Sequence, residues 1–477
     1  MSRIPEGAFR ASFRDPDGVL IATDDRIVRA VRPAARDTLD TLLTSDFGRQ
    51  LVESGRFVAT KRLDGPPPEF ASSPLGDAET TWYEHERIAI PTYAYEWSPR
   101  MLHAAAALTL RLAKDGAGHG FGLKDATPDN ILFRGAEPVF VDALSFERRD
   151  PHDPTWLPYA QFVRTFLLPL LANREFGLAL DQSLLMRREG LEPDQVYRWC
   201  RWSQRLRPPF LSLVTLPTLL TGRAERTPTL YQKRRLKDAG KAQFILRGVF
   251  AQLRRALHAV TPASRSSAWS HYEAQHDRAY IDRKTDAVAT ALKRWPRTLV
   301  LDIGCNTGQF SLLAARTGAK VVAVDADSVV VDTLWERAHQ EGLDIQTLVG
   351  NLAQPSPATG WMNRERPSLL DRLRGRFDAV FALAVLHHFL ATERVPLRDV
   401  VDLLATLTTD LAVVEFVAPT DELFQRLSRG RDALYQELTP DRFERDARVR
   451  FDVVERVTLM EGRRWLYVLR ARAGRSC

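Results

Sequence analysis

"LVLDIGCNTGQF", residues 299 to 310, decides the fold. An uninterrupted apolar run reaches an acid, Asp302, and two glycines, Gly304 and Gly308, follow within six residues. Consecutive apolar residues suit a strand buried on both faces, and glycines let the backbone turn tightly beneath a ligand before a helix starts. "QFSLLAARTG" then carries helical spacing. The same alternation continues outward. Strand "KVVAVDA", helix "SVVVDTLWERAHQEG" and strand "IQTLVGN" come first, then strand "FDAVFALAVLHHF", helix "LRDVVDLLATL" and strand "LAVVEFVAP". Two last strands, "VRFDVVERV" and "RWLYVLRAR", suit an antiparallel sheet edge. The pattern predicts an α/β fold with a Rossmann-like parallel sheet.

The spacing Asp-x-Gly-x-Asn-x-Gly places an acid before the first glycine. A carboxylate there suits the amino-acid ammonium of S-adenosyl-L-methionine better than it suits a pyrophosphate. Asp325 ends the next strand, where a carboxylate can accept both hydroxyls of a ribose. "VGNLAQP" ends the third strand, so Asn351 and Leu352 are expected to flank an adenine. His387 and His388 close the fourth apolar run, and either can serve as a base toward an acceptor hydroxyl or amine, or line the pocket. They have no third ligand nearby, so no metal site is expected. "WSHYEAQHDRAYIDRKTDAV", 269 to 288, precedes the first strand; Trp269, Tyr272 and Tyr280 form either an aromatic lid or a packed helix face.

Four motifs in this order resemble the class I S-adenosylmethionine-dependent methyltransferases over residues 295 to 471. The resemblance implies that Asp302, Gly304, Asn306 and Gly308 line the methionine portion, Asp325 the ribose and Asn351 the adenine amino group. Asn306 stands where a glycine is usual.

The other half opens with "GVLIATDDRIVRAV", a β-hairpin turning near Asp24 and Asp25. Two short helices, a strand in "ERIAIPTYAYEWSP" and a long helix ending near Gly116 are expected next. "GLKDATPDNILFRGAEPVFVDALSFE", 121 to 146, then sets Asp125, Asn130 and Asp142 at the spacing of an acid near an accepting hydroxyl and two Mg²⁺ ligands. These residues resemble the protein-kinase-like and aminoglycoside-kinase-like core over 15 to 222, an α+β domain. The resemblance implies Mg²⁺ and ATP as possible ligands. Departures are plain: no Gly-rich loop, no lysine on the hairpin, where Arg29 is the nearest substitute, and no glycine after Asp142.

The chain has 477 residues, 44% hydrophobic and 27% charged, which predicts a globular protein of two or three domains. Three cysteines lack metal spacing. The opening residues lack a leader's apolar core, and the longest apolar run, "FLLPLLA", is too short to span a bilayer, so a cytoplasmic enzyme is expected. The net charge of +7 is regional: from Arg223 to Arg265, eleven Lys or Arg face two acids, Glu225 and Asp238. A solvated basic helix explains this, and a nucleic-acid partner is the less favoured reading. The expected partition is a kinase-like domain over 1–222, a basic helical linker over 223–267 and a methyltransferase domain over 268–477. Taken whole, the chain resembles bacterial class I methyltransferases related to the rhizobial nodulation protein NoeA. That implies methylation of an unidentified acceptor, with the kinase-like domain serving recognition or regulation. A small-molecule kinase with a regulatory methyltransferase half, and an RNA-modifying methyltransferase, are the alternatives.

Overall fold

The chain divides into two units in the computed structural model, which describes residues 9–12, 15–23, 25–71, 79–224, 235–263, 265–267 and 277–472. Residues 1–133, 138–263 and 358–366 make the first unit; 134–137, 264–357 and 367–477 make the second.

Five antiparallel strands begin the first unit: β1 (Phe9–Ser12), β2 (Gly18–Ala22), β3 (Ile27–Val31), β4 (Thr60–Arg62) and β5 (Thr81–His85), in the order β1-β2-β3-β5-β4. The expected hairpin is β2 with β3, paired from Gly18 with Val31 to Ala22 with Ile27; Asp24 lies outside the described residues. Ile21, Val28, Ala30, Phe70 and Trp82 form a buried cluster on this sheet. Helices α1 (Pro33–Thr44) and α2 (Asp46–Glu53) fill the span between β3 and β4. Ser45 separates them because its hydroxyl accepts from the Gly48 N–H at 3.0 Å and caps α2.

One strand is displaced from expectation. "ERIAIP" is irregular, and the strand is β5, just upstream. Ile88 and Ile90 are buried without joining a ladder, and Pro91 has no N–H to give one. Helix α3 (Pro99–Gly118) starts on a Ser98 cap with proline at its first position and buries Met101, Leu102, Ala105, Ala106 and Leu112. Short strands β6 (Phe121–Leu123), β7 (Ile131–Arg134), β8 (Glu137–Phe140) and β9 (Phe146–Arg148) follow, β6 pairing with β9 and β7 with β8. The stretch expected as a linker supplies α4 (Ala239–Ala259), a helix of the first unit. Ala242, Leu246, Phe250, Leu253 and Leu257 recur at helical spacing and are its buried face.

The second unit opens with α5 (Arg278–Arg294) and holds a seven-stranded sheet. Its elements in chain order are β10 (Leu299–Ile303), α6 (Gln309–Arg316), β11 (Lys320–Asp325), α7 (Ser328–Glu341), β12 (Ile345–Val349), β13 (Phe377–Ala382), α8 (Leu397–Leu407), β14 (Thr408–Val417), β15 (Phe451–Met460) and β16 (Arg464–Ala471). The strand order is β12-β11-β10-β13-β14-β16-β15, parallel through β14, with β16 antiparallel to both its neighbours. The chain leaves β10 toward β11 and β12, then returns to its other side as β13. That reversal opens a crevice at the carboxyl ends of β10 and β13, where α/β sheets take their ligands.

Candidate functional site

At the end of β10 the backbone takes left-handed conformations three times within five residues. Gly304 has φ +68°, Asn306 +49° and Gly308 +88°. A Cβ on Gly304 would stand 2.9 Å from Val385, and one on Gly308 only 2.1 Å from Leu334, so both positions need glycine. Asparagine visits the left-handed region more readily than most residues, which explains Asn306 where glycine is usual. The Gly304 N–H donates to the Val324 carbonyl at 2.8 Å, pinning the turn against β11.

Two acids border this turn. Asp302 is buried and accepts from the Ser311 hydroxyl at 2.6 Å. Burial pushes its pKa up to about 7, against the pull of that hydrogen bond and of Lys284. Asp325 accepts from the Asn306 N–H and the Asp327 N–H, each at 2.9 Å, one on each oxygen. Burial raises its pKa too. Each carboxylate oxygen keeps a further lone pair, so Asp325 can accept two hydroxyls without losing its backbone bonds. Two carboxylates that burial disfavours as anions suit a ligand with an ammonium and a ribose, which is the donor set of S-adenosylmethionine.

At the end of β12, the Asn351 side chain donates to Glu393 at 2.8 Å and accepts from the Ala353 N–H at 2.9 Å; Leu352 is buried beside it. The fourth apolar run is not all strand. β13 stops at Ala382, where its ladder with β10 ends, and Ala384 turns with φ +55°. His387 and His388 therefore sit on a helical turn past the strand, rings 4.3 Å apart. His387 is fully buried, whereas His388 is half-buried and burial lowers its pKa.

Of the two readings of the aromatic segment before β10, lid or packed helix face, Tyr280 takes the packed one. Its side chain is fully buried in α5 and its hydroxyl donates to Glu415 at 2.6 Å. Trp269 and Tyr272 lie outside the described residues.

In the first unit, Ser145 gathers the kinase-like residues. Its N–H donates to the Asp142 carbonyl at 3.2 Å, and its hydroxyl and carbonyl accept from the Asp125 and Lys124 N–H groups. The Val141 N–H donates to the Asn130 carbonyl at 2.9 Å, which brings Asn130 beside Asp142. Asp142 is already engaged: Arg29, buried on β3, donates to it at 2.8 Å. Lys124 pairs with Asp17, and the Asp125 carboxylate accepts from Gln161 at 3.2 Å. Among the described residues no group of three or more His, Cys, Asp or Glu is placed to hold a metal ion.

Comparison with known proteins bears on the chain as a whole. Residues 300–406 match the family model described as "Methyltransferase domain". Nodulation protein NoeA of Rhizobium meliloti (strain 1021) is 29% identical over 470 residues, covering 97% of this chain and 95% of that protein. The chain is a class I S-adenosylmethionine-dependent methyltransferase related to NoeA. The methyltransferase is also 37% identical over 94 residues to 23S rRNA (uracil(1939)-C(5))-methyltransferase RlmD of Xanthomonas campestris pv. campestris (strain 8004), 19% of this chain and 21% of that protein. Among solved structures, N-methyltransferase NodS from Bradyrhizobium japonicum WM9 is 14% identical with a TM-score of 0.30, covering 41% of this chain and 98% of NodS.

Ser311, Glu393 and Glu415 escaped the sequence reading. Glu415 left one trace, a lone acid inside the apolar strand "LAVVEFVAP"; the others left none.

Proposed function

We propose that the methyltransferase unit grips its cofactor through the β10 turn, and that the first unit recognises the acceptor or regulates transfer and does not move phosphate. Bound S-adenosylmethionine supplies an electrophilic methyl group on a sulfonium. Asp302, Gly304, Asn306 and Gly308 would line its methionine portion, with Asp325 on the ribose and Asn351 and Leu352 at the adenine. His388, kept neutral at physiological pH by burial, is the better placed base of the histidine pair, because His387 is sealed from solvent behind it.

The observation that carries the role of the first unit is the Arg29–Asp142 pair. Phosphoryl transfer asks the second acid to hold Mg²⁺ and a lysine to hold the phosphates. Here a buried guanidinium occupies the acid and no lysine stands on the hairpin. Asp142→Asn tests the proposal on the full chain. It should leave cofactor binding intact and abolish labelled methyl transfer into extracts of a deletion strain, and neither the parent protein nor the variant should turn over ATP. Robust ATP turnover lost in Asp142→Asn would make the first unit a working kinase.

A further inference from the structure

Beside the β10 turn lies a buried group of charges that cofactor binding as described leaves unused. Lys284 of α5 is 2% exposed and reaches Glu415 of β14 at 2.6 Å. Glu415 is fully buried and also takes the Tyr280 hydroxyl at 2.6 Å. Arg464 of β16, 1% exposed, donates to the Tyr280 oxygen at 2.9 Å and grips Asp421 through two bonds of 2.7 and 3.0 Å. Burial alone would lift Glu415 above the ordinary carboxylate range, yet the charges of Lys284 and Arg464 bring it below. The same helix touches the element that follows the turn: the Gln309 amide donates to Thr285 at 2.9 Å, and the Lys284 ammonium lies 4.8 Å from the Phe310 ring centre. α5 thus fastens the start of α6 to the middle of the sheet.

The charge balance gives this fastening a consequence. Two buried cations, Lys284 and Arg464, face Glu415 and Asp421, and Asp302 is a third buried carboxylate, held by Ser311 on the helix whose first turn Lys284 touches. The group is one positive charge short when Asp302 is ionised. A cationic ligand end at Asp302 supplies that charge.

We propose that Lys284 is a positioning residue: held by Glu415 and set against Phe310, it seats the first turn of α6, whose Ser311 hydroxyl holds the Asp302 carboxylate in place for the ammonium of the cofactor. This rests on the assignment of Asp302 to the methionine portion. Lys284 does not touch the ligand. It acts through Asp302 and through the seat of α6, so its influence is confined to one end of the cofactor.

The test compares two ligands by calorimetry on the full chain. S-adenosylhomocysteine carries the amino-acid end, and 5′-methylthioadenosine lacks it. Lys284→Met should weaken S-adenosylhomocysteine about tenfold, because the first turn of α6 loses its tie to Glu415 and the Ser311 hydroxyl no longer holds Asp302 toward the ammonium. It should leave 5′-methylthioadenosine within about twofold, because the ribose acid is untouched. Lys284→Arg, which keeps the charge, should restore most of the loss. Equal weakening of both ligands, with a lowered melting temperature, would mean that Lys284 only holds the fold together. Asp302→Asn separates the two layers of the argument. If it weakens S-adenosylhomocysteine selectively while Lys284→Met does not, the proposal fails and the assignment of Asp302 stands. If Asp302→Asn changes neither ligand, the assignment itself falls and takes the proposal with it.

Discussion

The two acid-bearing turns of this chain treat their carboxylates in opposite ways. In the first unit, Asp142 accepts from the guanidinium of Arg29 and Asp17 pairs with Lys124. In the second, Asp302 accepts from a serine hydroxyl, and Asp325 from two backbone amides. Amides and hydroxyls orient a carboxylate without cancelling its charge, whereas a guanidinium does both. The carboxylates of the second turn therefore have no cation among the described residues bonded to them, whereas those of the first already do. Motif spacing alone makes both look like ligand sites. The partners of the acids tell them apart.

The strongest way to break this contrast is to remove the acid assigned to the ribose. Asp325→Ala deletes two hydroxyl contacts to a charged group, each worth about 1.5–3 kcal/mol, so cofactor affinity should fall by about a hundredfold at the least. Calorimetry on the full chain measures it. An unchanged affinity would remove Asp325 from the cofactor site and, with it, half of the comparison.

A smaller effect follows from the raised pKa of Asp302. Without ligand, the folded chain binds that proton more tightly than the unfolded chain, whose carboxyl keeps its ordinary value of 3.8. This group's contribution to stability is therefore full at low pH and is lost as pH rises toward about 7. Binding an ammonium needs the ionised form, so cofactor affinity should move the other way, falling about tenfold from about pH 8 to about pH 6. Melting temperature and calorimetric affinity with opposite pH slopes are the expected signature. An affinity independent of pH over that range would show that Asp302 is not what meets the cation.

How much of this was legible in the sequence depends on distance along the chain. The order of strands and helices in the second unit, the β10 turn and the two acids are set by neighbours: apolar runs, glycines and strand ends within a few residues. The charges that decide what the acids do come from far away. Arg29 and Asp142 are 113 residues apart, Tyr280 and Glu415 are 135, and Asn351 and Glu393 are 42. No local pattern encodes such pairs. The same limit misplaced β5, because "ERIAIP" is apolar enough for a strand and is nonetheless buried as irregular chain. It also extended β13 through "LAVLHHF", where the ladder ends at Ala382 and a left-handed Ala384 redirects the chain.

The smallest expected effect concerns cations that pair with no acid among the described residues. On α4 the buried face is apolar, while Lys241, Arg247, Arg254 and Arg255 are exposed, with Phe244 and Ile245 exposed among them. These cations repeat the contrast in reverse, as charge kept free on a surface and not in a crevice. A single helix with four such residues can neutralise only a few phosphates. Each released counterion contributes a slope of about −0.9 in the logarithm of affinity against salt, so little binding survives at physiological ionic strength. Mixed RNA titrated against the full chain should therefore bind weakly and without saturation, and Arg254→Ala with Arg255→Ala should change nothing in methyl transfer. A tight, saturable complex at that salt, lost in the double variant, would turn the basic face from a solvated surface into a nucleic-acid site and revive the RNA-modifying reading.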